Sequence, residues 1–170
     1  RYQFTVGLTD VTLTAKWEVS EDAVAKIGEE YNTSIADAIM EAKEGDKIEL
    51  LKDVTEDVSN NKNITLDLKG YKLTGEFRNN GILRIVDGTI ENTDGIGIWN
   101  KKTLIIGEND IGLPSMDSVR ILGTNIGIKN DGGLRFYDGY IEGKVALVGD
   151  VDSVPQGYSL YIEHNSEKDC

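Results

Sequence analysis

The chain is short of cysteine, histidine, proline and positive charge. Its one Cys, Cys170, is the last of 170 residues, so no internal disulfide can form and stability has to come from packing. One His, His164, supplies neither a histidine-based catalytic triad nor a zinc site. Two Pro against 19 Gly describe a chain that turns often without a disordered composition. Thirty Asp and Glu against 18 Lys and Arg give a net charge of −12, which repels a phosphate backbone and an anionic membrane surface. Nucleic acid is therefore not an expected partner. No apolar run reaches the roughly 20 residues of a membrane-spanning helix, and no signal peptide is present, so no membrane insertion is expected. The opening RYQFTVGLTD lacks an initiator Met and begins inside strand-like alternation. It reads as an excised fragment, with Cys170 as a fragment end or an added label site.

What is present is short-period alternation. In residues 4–18, Val11, Leu13, Ala15 and Trp17 fall on one face of a strand. Residues 23–54 then suggest strand, turn, helix and strand. Thr33 or Ser34 can cap the helix, Asp37 suits its first turn, and Ile35, Ala38, Ile39 and Ala42 form its apolar stripe. Gly45 is expected to end it as a left-handed cap.

From Asn63 onward the chain is a series of short strands broken by Gly, Asn and Asp. Leu66, Leu83, Leu104 and Leu134 are taken as successive equivalents, and a spacing near 20 is about one turn of a parallel β-helix. The longer last gap accommodates a loop at 108–118. Ile96, Gly97, Ile98 and Asn100 recur as Ile126, Gly127, Ile128 and Asn130, and NNGILRIVDGTIEN (79–92) recurs as NDGGLRFYDGYIEG (130–143). A hairpin meander does not require these echoes. The reading is an all-β, right-handed parallel β-helix (solenoid) with an N-terminal α-helical cap. Its expected parts are a β-module end at 1–19, a strand-helix-strand cap at 20–60 and β-helix turns over 61–170.

Two stretches carry a family resemblance. DVTLTAKWE (10–18) resembles the end of the internalin B-type repeat of bacterial surface proteins. AVAKIG…DAI..A.EGD.I.LLKDV, followed by NITLDLKGYKLTG, resembles the opening of pectate-lyase-like right-handed β-helix domains of Gram-positive surface proteins, over roughly residues 23–148. The resemblance implies an extracellular, secreted or wall-attached location and a helix that covers the open end of the solenoid. It also implies a non-enzymatic adhesive or stalk role, with host proteins or glycans as partners. The alternative is a carbohydrate-active β-helix, a polysaccharide lyase or hydrolase, or its carbohydrate-binding relic. A third reading is end-to-end self-association through an uncapped last turn.

In the repeated segment, Leu83, Ile85, Leu134 and Phe136 should face inward and Arg84 and Arg135 outward. Asp87-Gly88 and Asp138-Gly139 are read as structural turns, because Asp tolerates turn geometry and Gly supplies positive φ. Glu91 and Glu142 should point outward and could pair with Arg84 and Arg135 on a neighbouring turn of the solenoid. The acids Asp67, Asp87, Glu91, Asp138 and Glu142 could serve sugar chemistry, which needs two carboxylates at a set separation, but no catalytic motif joins them. The Asp/Asn-rich turns 92–95, 107–110 and 149–153 lack calcium-loop spacing and are read as solvated turns, with no metal or cofactor. Trp99, Tyr137 and Tyr140 should point outward as candidate ligand-binding residues that stack on sugars or anchor a protein. The competing reading packs them under the 108–118 loop or the C-terminal segment.

Overall fold

A computed structural model describes residues 20–107 and 119–153 of the chain. Within them the chain is mostly β, with one helix and three sheets. It opens with β1 (Ala25–Ile27), β2 (Glu30–Asn32) and the helix α1 (Ile35–Glu41). Next come β3 (Lys47–Leu50), β4 (Val54–Thr55), β5 (Val58–Asn60), β6 (Asn63–Asp67), β7 (Lys72–Thr74) and β8 (Phe77–Asn79). β9 (Ile82–Val86), β10 (Gly88–Asn92), β11 (Ile96–Asn100) and β12 (Thr103–Ile106) follow. The last are β13 (Val119–Gly123), β14 (Ile126–Asn130), β15 (Gly133–Phe136), β16 (Tyr140–Glu142) and β17 (Val145–Val148).

From β3 on, strands are dealt to the sheets in rotation. The first sheet runs β2-β1-β3-β6-β9-β12-β15, the second β4-β7-β10-β13-β16 and the third β5-β8-β11-β14-β17. Every pairing in the second and third sheets is parallel, and so is the first sheet from β3 onward. β1 alone pairs antiparallel, with β2 and β3. One circuit of three strands thus returns the chain to the neighbour of the strand it left.

The register stacks like on like. Ile48, Leu66, Ile85, Ile106 and Phe136 form one inward column of the first sheet, and Val58, Phe77, Ile98, Ile128 and Leu147 one of the third. All ten are buried. Each fully buried aliphatic or Phe side chain contributes about 1.5–3 kcal/mol, which makes these columns the main cohesive element.

The proposed leucine equivalence needs one correction. Leu83 pairs with Ile64, not Leu66, and Leu66 pairs with Ile85, while Leu83, Leu104 and Leu134 do align. Strands present two inward positions two residues apart, so apolar alternation by itself does not distinguish a register from one shifted by two. The Ile96/Ile126, Ile98/Ile128 and Asn100/Asn130 echoes are direct strand partners.

α1 packs against β1, β2 and β5 through buried Ile35, Ala38 and Ile39. Ser34 is its N-cap, its hydroxyl accepting from Asp37 N at 2.9 Å. The carboxylate of Glu56 accepts from Ile35 N and Ala36 N, each at 2.9 Å, and at the other end Lys62 Nζ donates to Met40 O at 2.5 Å and Ala42 O at 2.6 Å. Because Lys62 satisfies those last carbonyls, the helix stops at Glu41 without a glycine. Gly45, expected as its cap, lies beyond it at φ +89° and donates to Asn63 O at 2.7 Å. The rotation through the sheets starts at Lys47, inside the stretch assigned to the cap. Residues 1–19, where the end of a β-module with Trp17 was expected, residues 108–118, where a loop was expected, and His164 and Cys170 lie outside the described residues.

Candidate functional site

Two features stand out: a file of buried amides inside the third sheet, and a cationic cluster outside it. Asn60, Asn79, Asn100 and Asn130 are register partners at the ends of β5, β8, β11 and β14, and all are buried. Asn60 Nδ2 donates to Asn79 Oδ1 at 2.9 Å, Asn79 Nδ2 to Asn100 Oδ1 at 2.8 Å and Asn100 Nδ2 to Asn130 Oδ1 at 2.6 Å. Each Oδ1 also accepts the backbone N–H two residues on, from Lys62, Gly81, Lys102 and Gly132. The amides therefore serve as turn formers and as rungs together, so their burial leaves no polar group stranded. The file ends at Gly149, the position after Val148, the residue paired with Lys129. A Cβ at Gly149 would lie 2.1 Å from Asn130 O, and Asn130 Nδ2 donates instead to Asp150 O at 2.7 Å. The repeats in the sequence already paired Asn79 with Asn130 and Asn100 with Asn130; the signal for Asn60, and for the file as a whole, was an Asn closing each of β5, β8, β11 and β14.

On the outer face of that sheet, Ser59, Arg78, Trp99, Lys129 and Val148 form one row. The half-buried Trp99 ring lies 4.1 Å from Lys101 Nζ, 4.3 Å from Lys129 Nζ and 5.9 Å from the Arg78 guanidinium carbon, measured to its centroid. Its Nε1–H donates to Asp131 at 2.6 Å, and Arg78 is paired with Glu76 at 2.8 Å. Glu76, by hydrogen bond first and by charge second, holds the Arg78 guanidinium above its ordinary pKa. The lysines sit against the π system by cation–π attraction, so the ring is engaged by this chain's own amines.

Tyr140 lies elsewhere, on β16 of the second sheet. It is exposed, with the Arg120 guanidinium 4.8 Å from its ring and its hydroxyl donating to Glu142 at 3.2 Å. Tyr137 is half-buried beyond β15, its N–H donating to Ile106 O at 2.9 Å. The three candidate aromatics thus do not share a face.

The two Asp-Gly turns differ in backbone. Asp87 is left-handed at φ +46° and Gly88 follows at +137°; in the second copy Gly139 has φ +133° while Asp138 keeps a negative φ. Glycine is required at both sites, because a Cβ would lie 2.5 Å from Leu68 Cβ at Gly88 and 2.6 Å from Val119 O at Gly139. The suggested Glu91–Arg84 pair does not form. Glu91 lies on the second sheet and pairs with Lys72 at 2.9 Å, whereas Arg84, on the first, donates to Gly107 O at 3.0 Å. The Asp-Gly corner between them sends the two side chains off different faces. In the 92–95 turn, Asn92 Oδ1 accepts from Asp94 N at 2.9 Å and Asn92 Nδ2 donates to Ile96 O at 2.7 Å. Among the described residues no group of three or more His, Cys, Asp or Glu is arranged to hold a metal.

No family model, no curated protein and no solved structure matches the chain.

Proposed function

We propose that the three sheets wind as a right-handed parallel β-helix closed at its N-terminal end by α1. In this reading the chain is a rigid, non-enzymatic segment of a secreted or wall-attached bacterial surface protein, a stalk or adhesive module contacting host proteins or glycans. The observation that carries it is the unbroken amide file from Asn60 to Asn130, which fixes the spacing of successive circuits from inside. A scaffold locked in this way presents its outer rows at constant intervals, and rigidity limits the ordering cost of multivalent contact. The extracellular setting rests on the resemblance of residues 10–18 and 23–148 to surface-protein modules.

The carbohydrate-active alternative calls for carboxylates grouped in a cleft beside an exposed ring. Trp99 has one carboxylate, Asp131, and three cations against it instead. The test is a glycan and host-protein array run alongside reducing-sugar release from acidic polysaccharides. Binding without turnover is expected. Turnover that disappears in Asp87→Ala or Asp138→Ala would overturn the scaffold reading.

A further inference from the structure

We propose that Asn80–Gly81 is a deamidation site held shut by the amide file, a spontaneous covalent modification gated by Asn79. Each member of the file is followed by a short turn: Asn61-Lys62, Asn80-Gly81, Lys101-Lys102 and Asp131-Gly132. The turns stack, because Asn80 N, Lys101 N and Asp131 N donate to Asn60 O, Asn79 O and Asn100 O of the circuit before. A Cβ at Gly81 would lie 2.6 Å from Lys62 N and closer still to Lys62 O, and Gly132 meets Lys102 in the same way. Packing therefore forces glycine at 81. Standing after Asn80, it leaves an amide nitrogen that no side chain shields from the carboxamide before it.

The reaction needs no partner but water. Gly81 N attacks Asn80 Cγ, the Cγ–Nδ2 bond breaks, and Nδ2 leaves as ammonia with the proton from Gly81 N. Water then opens the succinimide at either carbonyl, giving aspartate or isoaspartate, and nothing is oxidised or reduced.

Native geometry opposes the first step at both reacting groups. Gly81 N–H is engaged by Asn79 Oδ1 at 3.1 Å, and Asn80 Nδ2 reaches back to Ser59 Oγ at 3.5 Å across the preceding circuit. Asn79 is itself fixed: its Oδ1 receives Asn60 Nδ2, and its Nδ2 donates to Asn100 Oδ1, Gly81 O and Thr103 O. Gly81 N must therefore leave a buried acceptor before it can reach Asn80 Cγ. Asn80 is exposed, so water has access once the imide forms.

The two products act differently. Aspartate at 80 would match Asp131, its equivalent in the repeated segment, and would place a carboxylate beside Lys101 in the stacked turns. Isoaspartate lengthens the main chain between Asn79 and Gly81, which breaks the turn and frees the Asn79 rung.

The experiment incubates the full chain at mildly alkaline pH, folded and in urea, and follows Asn80 by peptide mass spectrometry with isoaspartate detection. In urea Asn80 should convert ahead of Asn61, Asn63, Asn92 and Asn125, which precede Lys, Ile, Thr and Ile. In the folded chain it should convert about tenfold more slowly or slower still, because reaction waits on opening of the turn. Asn79→Ala, checked for native circular dichroism, should recover most of that difference. Gly88→Ala, brought by urea to the same unfolded fraction, should not. Amide exchange gives a reading free of variants: Gly81 N–H should be protected in the unmodified chain. Folded Asn80 converting as fast as unfolded, or an unprotected Gly81, would overturn the proposal. Equal acceleration in the two variants would overturn it too, by making global unfolding the gate in place of Asn79.

Discussion

Asn79 Nδ2 donates to Asn100 Oδ1 across 2.8 Å in the interior of the third sheet, while Asn79 Oδ1 receives Asn60 Nδ2 and Gly81 N. An interior rung has a neighbour on either side, so its loss is felt in both directions. Asn79→Ala should destabilise the chain by about 3 kcal/mol, because it leaves buried donor and acceptor capacity unmet on Asn60 and Asn100. Asn60→Ala, at the start of the file, should cost less. Asn100→Asp should cost at least as much as Asn79→Ala, since an ionised carboxylate has no proton to offer Asn130 Oδ1 or Gly133 O. Urea unfolding of the three variants checks the order, and an Asn79→Ala midpoint equal to wild type would refute it.

Gly88 tests the corner. Gly88→Ala must hold alanine at φ +137° and push Leu68 and Tyr71 aside, so a cost of about 2 kcal/mol or more is expected. Gly28→Ala, at φ +58° with open space around it, should cost only about 1 kcal/mol. Equal melting temperatures for the two variants would contradict the contact assignment.

The helix is held at both ends by side chains of the first circuit. Glu56→Ala strands Ile35 N and Ala36 N and should destabilise by about 2 kcal/mol. Amide exchange in α1 should rise more than exchange in β9 or β12. A uniform rise across all sheets would show that Glu56 acts on global stability and not on the helix.

The Lys26–Glu49–Lys47 cluster sets a pH dependence. Glu49 lies 3.0 Å from Lys26 and 3.4 Å from Lys47, and the Lys26 hydrogen bond is the leading cause of its lowered pKa. A lowered folded-state value means stability fully present above the unfolded carboxylate range and lost as pH falls through the folded value. The lysines are raised, Lys26 chiefly by Glu49 and Lys47 chiefly by Asp67, so their share is present at neutral pH and disappears only as pH climbs through the alkaline range. Glu49→Gln should flatten the acid limb of a stability profile measured from neutral pH downward. An unchanged acid limb would remove Glu49 from the account.

Much of the architecture was legible because one circuit repeats its chemistry. The Ile-Gly-Ile-x-Asn echo gave the β11–β14 register directly. The apolar stripe of α1 followed from helical period, and capping chemistry narrowed the N-cap to Thr33 or Ser34, of which the fold uses Ser34. Register between β6 and β9 was not legible, since Ile64 and Leu66 are equally good inward residues. The helix end was misplaced because Lys62, which caps it, is 20 residues or more away along the chain from the carbonyls it binds. Outward orientation of Trp99 could be inferred from Lys129 beside it, but not the engagement of its ring by Lys101 and Lys129, which depends on rotamers. The amide file hid in plain view, because Asn between strands also reads as an ordinary turn residue.

The file also has a direction and a terminus. Every rung passes its amide proton toward the later circuit, and Gly149 offers no carboxamide to receive the next one. A gene built this way can grow by copying whole circuits ahead of Gly149, because any new Asn finds a donor behind it and an acceptor in front. Circuits of 19, 21 and 30 residues already share the file, so the length of each corner loop is free to drift. Interior amides would then hold the spacing of successive circuits constant while the corner loops change, and Gly149 marks where the file ends.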